Sequence, residues 1–278
     1  MKRTRKIFAV GAAILIIGIV VWIVGMSIID WNFNGLDTTK YTAKSFTCDA
    51  EVKSISVSLS SFPLTVKKGD KVSLDYYEAD NSEVFVEEKD GVLSIVENYK
   101  YKPFKSGLFN MGRSSHKFTL TIVSGAKLEI KGANSDVSIE DIDFEEFSMN
   151  STNAEICFAR VQFGKLNIDV TNCDIDMDDC KASDMIVDAT NIDITVKNCE
   201  FDSVVIDGTN VDCELERVTL DKLSVDAVNL DADIVIVGIE SEYTVQAKGR
   251  GMPTNRTGTT DKLIELSAVN SDVELKFV

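Results

Sequence analysis

From Leu128 onward the chain alternates apolar and polar side chains in short runs, and the runs return every 19 positions. Copies begin LEIKGANSDVSIEDIDFEE at Leu128, FSMNSTNAEICFARVQFGK at Phe147 and LNIDVTNCDIDMDDCKASD at Leu166. They continue MIVDATNIDITVKNCEFDS at Met185, VVIDGTNVDCELERVTLDK at Val204 and LSVDAVNLDADIVIVGIES at Leu223. A seventh copy, from Glu242, slips its alternation and carries an insertion, GRGMPTNRTGTTDK. A last half-copy, IELSAVNSDVELKFV, restores the pattern. Alternation at a period of two predicts strands, and the three-four spacing of a helix is absent from the copies. Self-similarity near 20 residues predicts a solenoid. Two or three short strands per coil, stacked at about 4.8 Å, make an all-β parallel β-helix with a continuous apolar interior. The 3 prolines in the chain fit coils that must hydrogen-bond on both sides.

Upstream of Leu128 the 19-residue period is lost while the alternation persists. SISVSLSSFPLTVKKGDKVSLDYYEA predicts strands near 62–66 and 71–77 with KKGDK as a hairpin turn between them. VFVEEKDGVLSIVE predicts a second hairpin turning at Lys89-Asp90-Gly91, and HKFTLTIVSG leads into the first coil. Residues 46–127 are therefore expected to form an N-terminal β-hairpin module that caps the solenoid, because a bare terminal coil is an adhesive edge. Within it, NYKYKPFKSGLFNMGRSSHK at 98–117 forms a long basic and aromatic loop. Loops of this length are more often functional than short connections. Lys102, Phe104 and Arg113 are its candidate contacts, to an anionic membrane, a wall polymer or the acidic face of another copy.

The first residues follow a different rule. Lys2, Arg3, Arg5 and Lys6 precede an uncharged run from Ile7 to Ile29. As a helix this run reaches roughly 35 Å, enough to cross a hydrocarbon core of about 30 Å with some tilt. It is longer than the apolar part of a cleaved signal and ends GMSIIDW, without a small-x-small site. The expected order is a cytoplasmic tail at 1–6, a transmembrane helix at 7–29, a linker at 30–45, the β module at 46–127 and the solenoid at 128–278. Basic residues before the span and none directly after it place the N-terminus in the cytoplasm and the rest outside, with Trp31 at the outer interface.

Charge narrows the partners. The chain's net charge is −16 and its first 29 residues contribute +4, so the remainder carries −20. Such a surface excludes nucleic acid, whose phosphates need a basic face. Two columns of acids create much of this charge. Asp136, Glu155, Asp174, Asp193, Asp212, Asp231 and Asp272 each lie two residues after an Asn; Asp169, Asp188, Asp207 and Asp226 precede it. By alternation both columns point outward. Like charges at strand spacing repel, and two readings follow: a solvated face that resists aggregation, or a binding surface for Ca²⁺ or a basic partner, with Asp174, Asp193, Asp212 and Asp231 as the candidate residues. The Asn column itself, Asn134, Asn153, Asn172, Asn191, Asn210 and Asn229, with Asn270 in the last copy, is expected to be structural. Asn accepts the left-handed conformation of a sharp corner, and stacked Asn side chains pass hydrogen bonds from coil to coil.

Catalytic constellations are not expected. The 1 histidine, His116, sits in the long loop beside Ser114 and Ser115, without a visible oxyanion site. A single histidine also removes most His-based zinc sites, and GRGMPTNRTGTT lacks the Lys-Ser/Thr of a phosphate loop. Carboxylate pairs for glycoside cleavage normally interrupt a repeat, whereas these acids obey it. No C-x-x-C occurs among the 6 cysteines. Most of them fall on apolar positions, where Cys packs as a small hydrophobe; Cys180 and Cys199 share a column one repeat apart.

KVSLDYYEA…DGVLSI, VSGAKLEI and the recurring Asn-x-Asp corner through VNSDVELKF, together with the basic-plus-apolar N-terminus, resemble the bacterial putative-adhesin family of unknown function. Its members are membrane-anchored proteins with a β-helical exterior domain, and the resemblance covers residues 45–278. Where that family often places Gly at the corner, this chain has Asn. The resemblance implies an envelope-located solenoid, in places linked to envelope-stress systems, and supplies no catalytic residues. The expected function is a binding, adhesion or scaffold module of the cell envelope, without a cofactor other than Ca²⁺, facing a cell-wall polymer or membrane-protein partner. The alternatives are an accessory component of an envelope-stress sensor and, behind it, a polysaccharide-active enzyme.

Overall fold

The computed structural model describes residues 2–28, 40–60, 63–80, 82–99 and 117–278, and within the first span the side chains of 11 and 14–28 only. The chain divides into two compact units. One contains a helix, α1, at Lys2–Ile28. Its side chains from Ile14 to Val24 are exposed. Residues 14–28 span about 22 Å, and among the described residues no helix is long and apolar enough to cross a membrane. The expectation for Ile7–Ile29 thus rests partly on residues outside those described, as do the expectations for Trp31, Lys102, Phe104, Arg113, Ser114, Ser115 and His116.

The other unit is one 14-stranded sheet. In chain order its strands are β1 Tyr41–Thr47, β2 Ser54–Leu59, β3 Leu64–Lys68, β4 Ser73–Ala79, β5 Ser82–Lys89, β6 Val92–Tyr99, β7 Phe118–Ile122 and β8 Ala126–Glu140. They continue with β9 Asp143–Ala159, β10 Gln162–Asp178, β11 Lys181–Lys197, β12 Glu200–Ile236, β13 Thr244–Lys248 and β14 Leu263–Phe277. β8 to β12 lie parallel and in 19-residue register, with Leu128 beside Phe147, Phe147 beside Leu166, Leu166 beside Met185 and Met185 beside Val204.

Each coil has three faces because the alternation slips phase three times. In the coil of β10 the outward pairs are Gly164–Lys165, Thr171–Asn172 and Asp178–Asp179, and the inward residues between them are Leu166, Ile168 and Val170, then Cys173, Ile175 and Met177, then Cys180. Two successive outward residues mark a bend. Only one of the three bends is left-handed, and it is not the Asn column. Positive φ recurs at Asp141, Arg160, Asp179, Asn198 and Arg217, between 52° and 57°. The left-handed corner expected at Asn134, Asn153 and their successors is therefore seven residues further on. There the backbone N–H still joins the stack, as in Asp179 N–H to the Lys197 carbonyl at 3.1 Å and Asn198 N–H to Glu216 at 3.0 Å. That bonding holds residues other than Gly in a conformation they otherwise avoid.

The interior is dense where aromatic columns meet. Phe158 and Phe163 contact edge-on at 4.9 Å between centroids, Phe147 meets Phe158 at 5.2 Å, and Phe144 stacks on Phe163 at 5.7 Å. Each buried ring contributes about 2–3 kcal/mol through area alone.

Both ends depart from sequence order. β2 and β3 form a coil directly against β8, with Ile55 beside Leu128, Val57 beside Ile130 and Leu64 beside Val137. β6 and β7 form the coil beyond it, Leu93 beside Ile55 and Phe118 beside Leu64. Antiparallel strands then cover the end: β5 on β6, β4 on β7 and β1 on β4. The β5–β6 hairpin turns as expected, at Asp90 (φ 55°) and Gly91 (φ 78°). The KKGDK hairpin does not form, because β7 lies between β3 and β4, parallel to one and antiparallel to the other. Stacking Val66 on Leu120 in the core outweighs the local turn signal.

At the other end β14 lies on β12, with Leu223 beside Ile264 and Asn229 beside Asn270, and β13 lies outside β14 with Val245 beside Ile264. The half-copy has slipped inside the seventh copy. The reason is at Gly251, which stands where the seventh copy's Asn would be and has φ 79°. Without an Asn, the seventh copy cannot extend the ladder, while Asn270 can.

Asp179 tests the left-handed corner. Asp179→Gly is expected to leave stability within about 1 kcal/mol of the parent, and Asp179→Val to cost at least about 1–2 kcal/mol, because a β-branched side chain is strained at positive φ. Denaturant unfolding of the two variants decides it; equal midpoints would mean that the corner relaxes.

Candidate binding groove

The bend at Thr171–Asn172 and its counterparts is where the candidate residues converge. Asn153 Nδ2 donates to Asn134 Oδ1 at 2.8 Å, Asn172 to Asn153 at 2.9 Å and Asn191 to Asn172 at 2.7 Å. Asn210 then donates to Asn191 at 2.5 Å, Asn229 to Asn210 at 2.6 Å and Asn270 to Asn229 at 2.9 Å. Each interior Asn gives one hydrogen bond and takes one, so the amides polarise one another along the stack. The amides expected to pass hydrogen bonds from coil to coil do so, and the 41-residue jump from Asn229 to Asn270 follows from the strand order at the C-terminal end.

Beside this ladder the structure brings Asp174, Asp193, Asp212 and Asp231 into one line, with Asp272 after them. Asn172, Asn191, Asn210 and Asn229 form the other wall of a groove of about 630 Å³, whose floor includes Ile192, Val211 and Leu230. Asp272 and Ser271 extend it; they join only because β14 stacks on β12, which the intact VNSD of the last copy could have signalled. A hollow of about 760 Å³ lies at the C-terminal end, lined by Asn255, Arg256 and Thr257 with parts of β12, β13 and β14, away from the acids.

Charge is arranged differently here than at parts of the other two bends. There neighbouring coils set opposite signs together at four places: Lys127 with Glu146 at 3.3 Å, Lys181 with Glu200 at 2.6 Å, Lys197 with Glu216 at 3.2 Å and Arg160 with Asp141 at 2.7 Å. Arg160 holds the Asp141 carboxyl below its ordinary range through that hydrogen bond. In the groove, among the described residues, none of Asp174, Asp193, Asp212 or Asp231 has an ion-pair partner. Partial burial, with Asp212 and Asp174 on either side, pushes the Asp193 carboxyl up. The second acidic column is in register too, Asp169 beside Asp188 and Asp188 beside Asp207, and Asn150 donates to Asp169 at 2.9 Å. Among the described residues no group of three His, Cys, Asp or Glu is placed to hold a metal ion. One carboxylate per coil suits a row of separate positive charges better than a chelated cation.

Five of the six cysteines are core residues, and Cys157 lies on the outward side of its strand. All six are free thiols, five of them buried. Burial pushes Cys173 and Cys213 up to about 12, which keeps them protonated and unreactive. Cys180 and Cys199 are stacked, with Cys180 N–H directed at Cys199 Sγ at 3.2 Å. The Cys180 contact and burial hold the Cys199 thiol above its ordinary range.

Asn191→Ala removes two ladder hydrogen bonds and is expected to cost about 1–2 kcal/mol in denaturant unfolding, whereas Asn270→Ala removes one and costs about half as much. Equal costs would deny that the ladder acts as a chain. For Asp193, a native pKa above the ordinary 3.8 means that its charge opposes folding. Stability should therefore rise as pH falls from neutral through the raised value to 3.8, and Asp193→Asn should melt higher than the parent at pH 7, an advantage that disappears across that window. Identical melting at pH 7 in chelated buffer would mean that solvent screens the ladder.

The profile of the Toastrack DUF4097 family matches residues 52–275, in agreement with the family resemblance drawn from the sequence. No curated protein sequence matches the chain. Among solved structures, it is similar to a "putative adhesin" from Bacteroides fragilis NCTC 9343 at 14% identity and a TM-score of 0.47, covering 86% of this chain and 97% of that one. It is also similar to a "putative lipid binding protein" from Parabacteroides distasonis ATCC 8503, at 13% identity and a TM-score of 0.48, with 86% and 97% covered. A "putative adhesin" from Parabacteroides merdae ATCC 43184 matches at 15% identity and a TM-score of 0.44, with 86% and 96% covered.

Proposed function

The chain belongs to the Toastrack DUF4097 family, and on that footing we propose that it is a binding or adhesion module of the bacterial cell envelope, a β-solenoid held outside the membrane by its N-terminal helix. The observation that carries this reading is the groove. Four stacked aspartates line one bend with no ion pair among the described residues, while the other bends of the same stack hold pairs such as Lys181–Glu200 and Lys197–Glu216. Repulsion at strand spacing costs stability, and a ligand with several positive charges, or one reached through bridging cations, would relieve it. The acids follow the repeat without interruption, so the groove presents a uniform surface in place of a reaction centre, and catalysis is not part of the proposal.

The anchor has its own support. Ile7–Ile29 carries no charge, four basic residues precede it, and the described part of α1 exposes Ile14 through Val24. An exposed apolar helix of this kind is accommodated by lipid, with the basic end in the cytoplasm. The protein is expected to stay with membranes through an alkaline wash and to lose its solenoid to protease added outside intact cells. Release by the wash would refute the anchor.

The groove is tested by exchanging equal charge in the two acidic columns. Vesicles carrying the full chain are expected to adhere to polylysine-coated beads in a salt-sensitive manner. Asp174→Asn, Asp193→Asn and Asp212→Asn together should weaken adhesion several-fold more than Asp188→Asn, Asp207→Asn and Asp226→Asn together. Equal losses from the two triples would reduce the groove to a share of the general surface charge.

A further inference from the structure

The last coil is sealed on two of its three faces. β13 covers Leu263–Ser267, and the outer edge of β13 is itself closed by Arg256, whose N–H and carbonyl exchange hydrogen bonds with Val245 at 3.0 and 2.9 Å. On another face Val237 N–H reaches the Val218 carbonyl at 2.9 Å, and Tyr243 Oη–H donates to the Leu220 carbonyl at 2.8 Å. The face between them, the second half of β14, is covered only at its start. There Val273 N–H donates to the Gly251 carbonyl at 3.0 Å, and a Cβ on Gly251 would run into the Ser271 carbonyl.

Beyond Val273 the outer edge has no backbone hydrogen bond among the described residues, although the Arg256 guanidinium lies 4.8 Å over the Phe277 ring and Tyr243 is 5.1 Å from it. Along a parallel strand, successive residues turn their N–H and C=O to opposite sides. Val278 N–H donates inward to Ile236 at 3.0 Å, so Leu275 and Phe277 turn both of their backbone groups outward, and Val273 its carbonyl. The side chains show the same incompleteness. Ala232, Ile234 and Ile236 are at most 2% exposed, while Val273, Leu275 and Phe277, stacked directly on them, are only half-buried.

We infer that this edge pairs with the same edge of a second copy, antiparallel, about a twofold axis at Leu275. The stretch Val-Glu-Leu-Lys-Phe at 273–277 has the same chemistry read in either direction: an apolar residue at each end, opposite charges inside them and Leu at the centre. In that register Leu275 faces the other copy's Leu275, Val273 faces Phe277, and Glu274 faces Lys276 on both sides of the axis. Glu274 and Lys276 are exposed and already 2.7 Å apart within one strand, so pairing builds a four-charge cluster of alternating sign. Leu275 exchanges both hydrogen bonds with its counterpart, and Phe277 N–H reaches the free Val273 carbonyl, which makes four bonds across the axis. Because Gly251 already holds Val273 N–H, no further bonds can form on that side, which fixes the register. The parallel alternative would set Glu274 on Glu274. This stretch is also locally neutral, on a domain whose remaining surface is acidic and repels another copy.

The test uses the full chain in detergent micelles, with mass followed by sedimentation against concentration. The parent is expected to pass reversibly from one chain to two. Glu274→Lys and Lys276→Glu should each weaken that association at least about tenfold, since each sets like charges together twice. Mixing the two variants in equal amounts should restore a dimer, because every cross-axis pair is then opposite in sign. The double exchange Glu274→Lys with Lys276→Glu should do the same alone. Both side chains are exposed, and unchanged circular dichroism would confirm that the variants fold. A parent that stays single at every concentration would overturn the inference. So would a dimer indifferent to both single variants, which would point to another surface, or a mixture that fails to associate.

Discussion

From β8 to β12 every coil repeats the last one in 19-residue register, and this single constraint decides what each side chain meets there. A residue in such a stack sees its own kind above and below. For apolar residues the rule is favourable in every column: Leu166 lies on Met185, Ile168 on Val187 and Ile175 on Ile194, and all are buried. For an amide it is favourable too, since Asn is both donor and acceptor and can bond to itself without end. For a carboxylate it is unfavourable. The stack answers with opposite charges at several positions of two bends and, among the described residues, leaves Asp174, Asp193, Asp212 and Asp231 beside the Asn ladder, and Asp188 and Asp207, without ion pairs.

That exception gives the solenoid a polarity of surface. The Asn ladder links the bend from coil to coil and the strand register brings the aspartates to a common line, so the groove's geometry is set by the backbone register and its charge by five residues that could have been varied independently. A raised Asp193 carboxyl is the electrostatic trace of that arrangement.

The ends obey a different requirement, because register supplies no neighbour for a terminal coil. At the N-terminal end β4 and β5 run antiparallel to the stack and close it, with β1 antiparallel to β4 outside them. At the C-terminal end β13 and Arg256 close one face, Tyr243 another, and among the described residues the third has an open backbone edge. In both cases the chain travels outward, builds the covering layer and returns to fill the coil beneath. Stack order and sequence order therefore part company at the ends, where local pattern carries least information.

The sequence alone determined the period, the inward columns, the Asn ladder and the acidic line, because each is a statement about one residue and its copy 19 positions away. It also placed the Lys89-Asp90-Gly91 hairpin, whose turn chemistry is local. What it misplaced was decided at a distance. The left-handed corner sits at Asp141, Arg160, Asp179, Asn198 and Arg217, where no single residue type marks it, since hydrogen bonds to the next coil hold the backbone there whatever the side chain. The KKGDK turn joins strands separated by β7, and the half-copy enters beneath the seventh copy. Those placements answer to which strand completes a core layer, and that choice exists only once the layers are stacked.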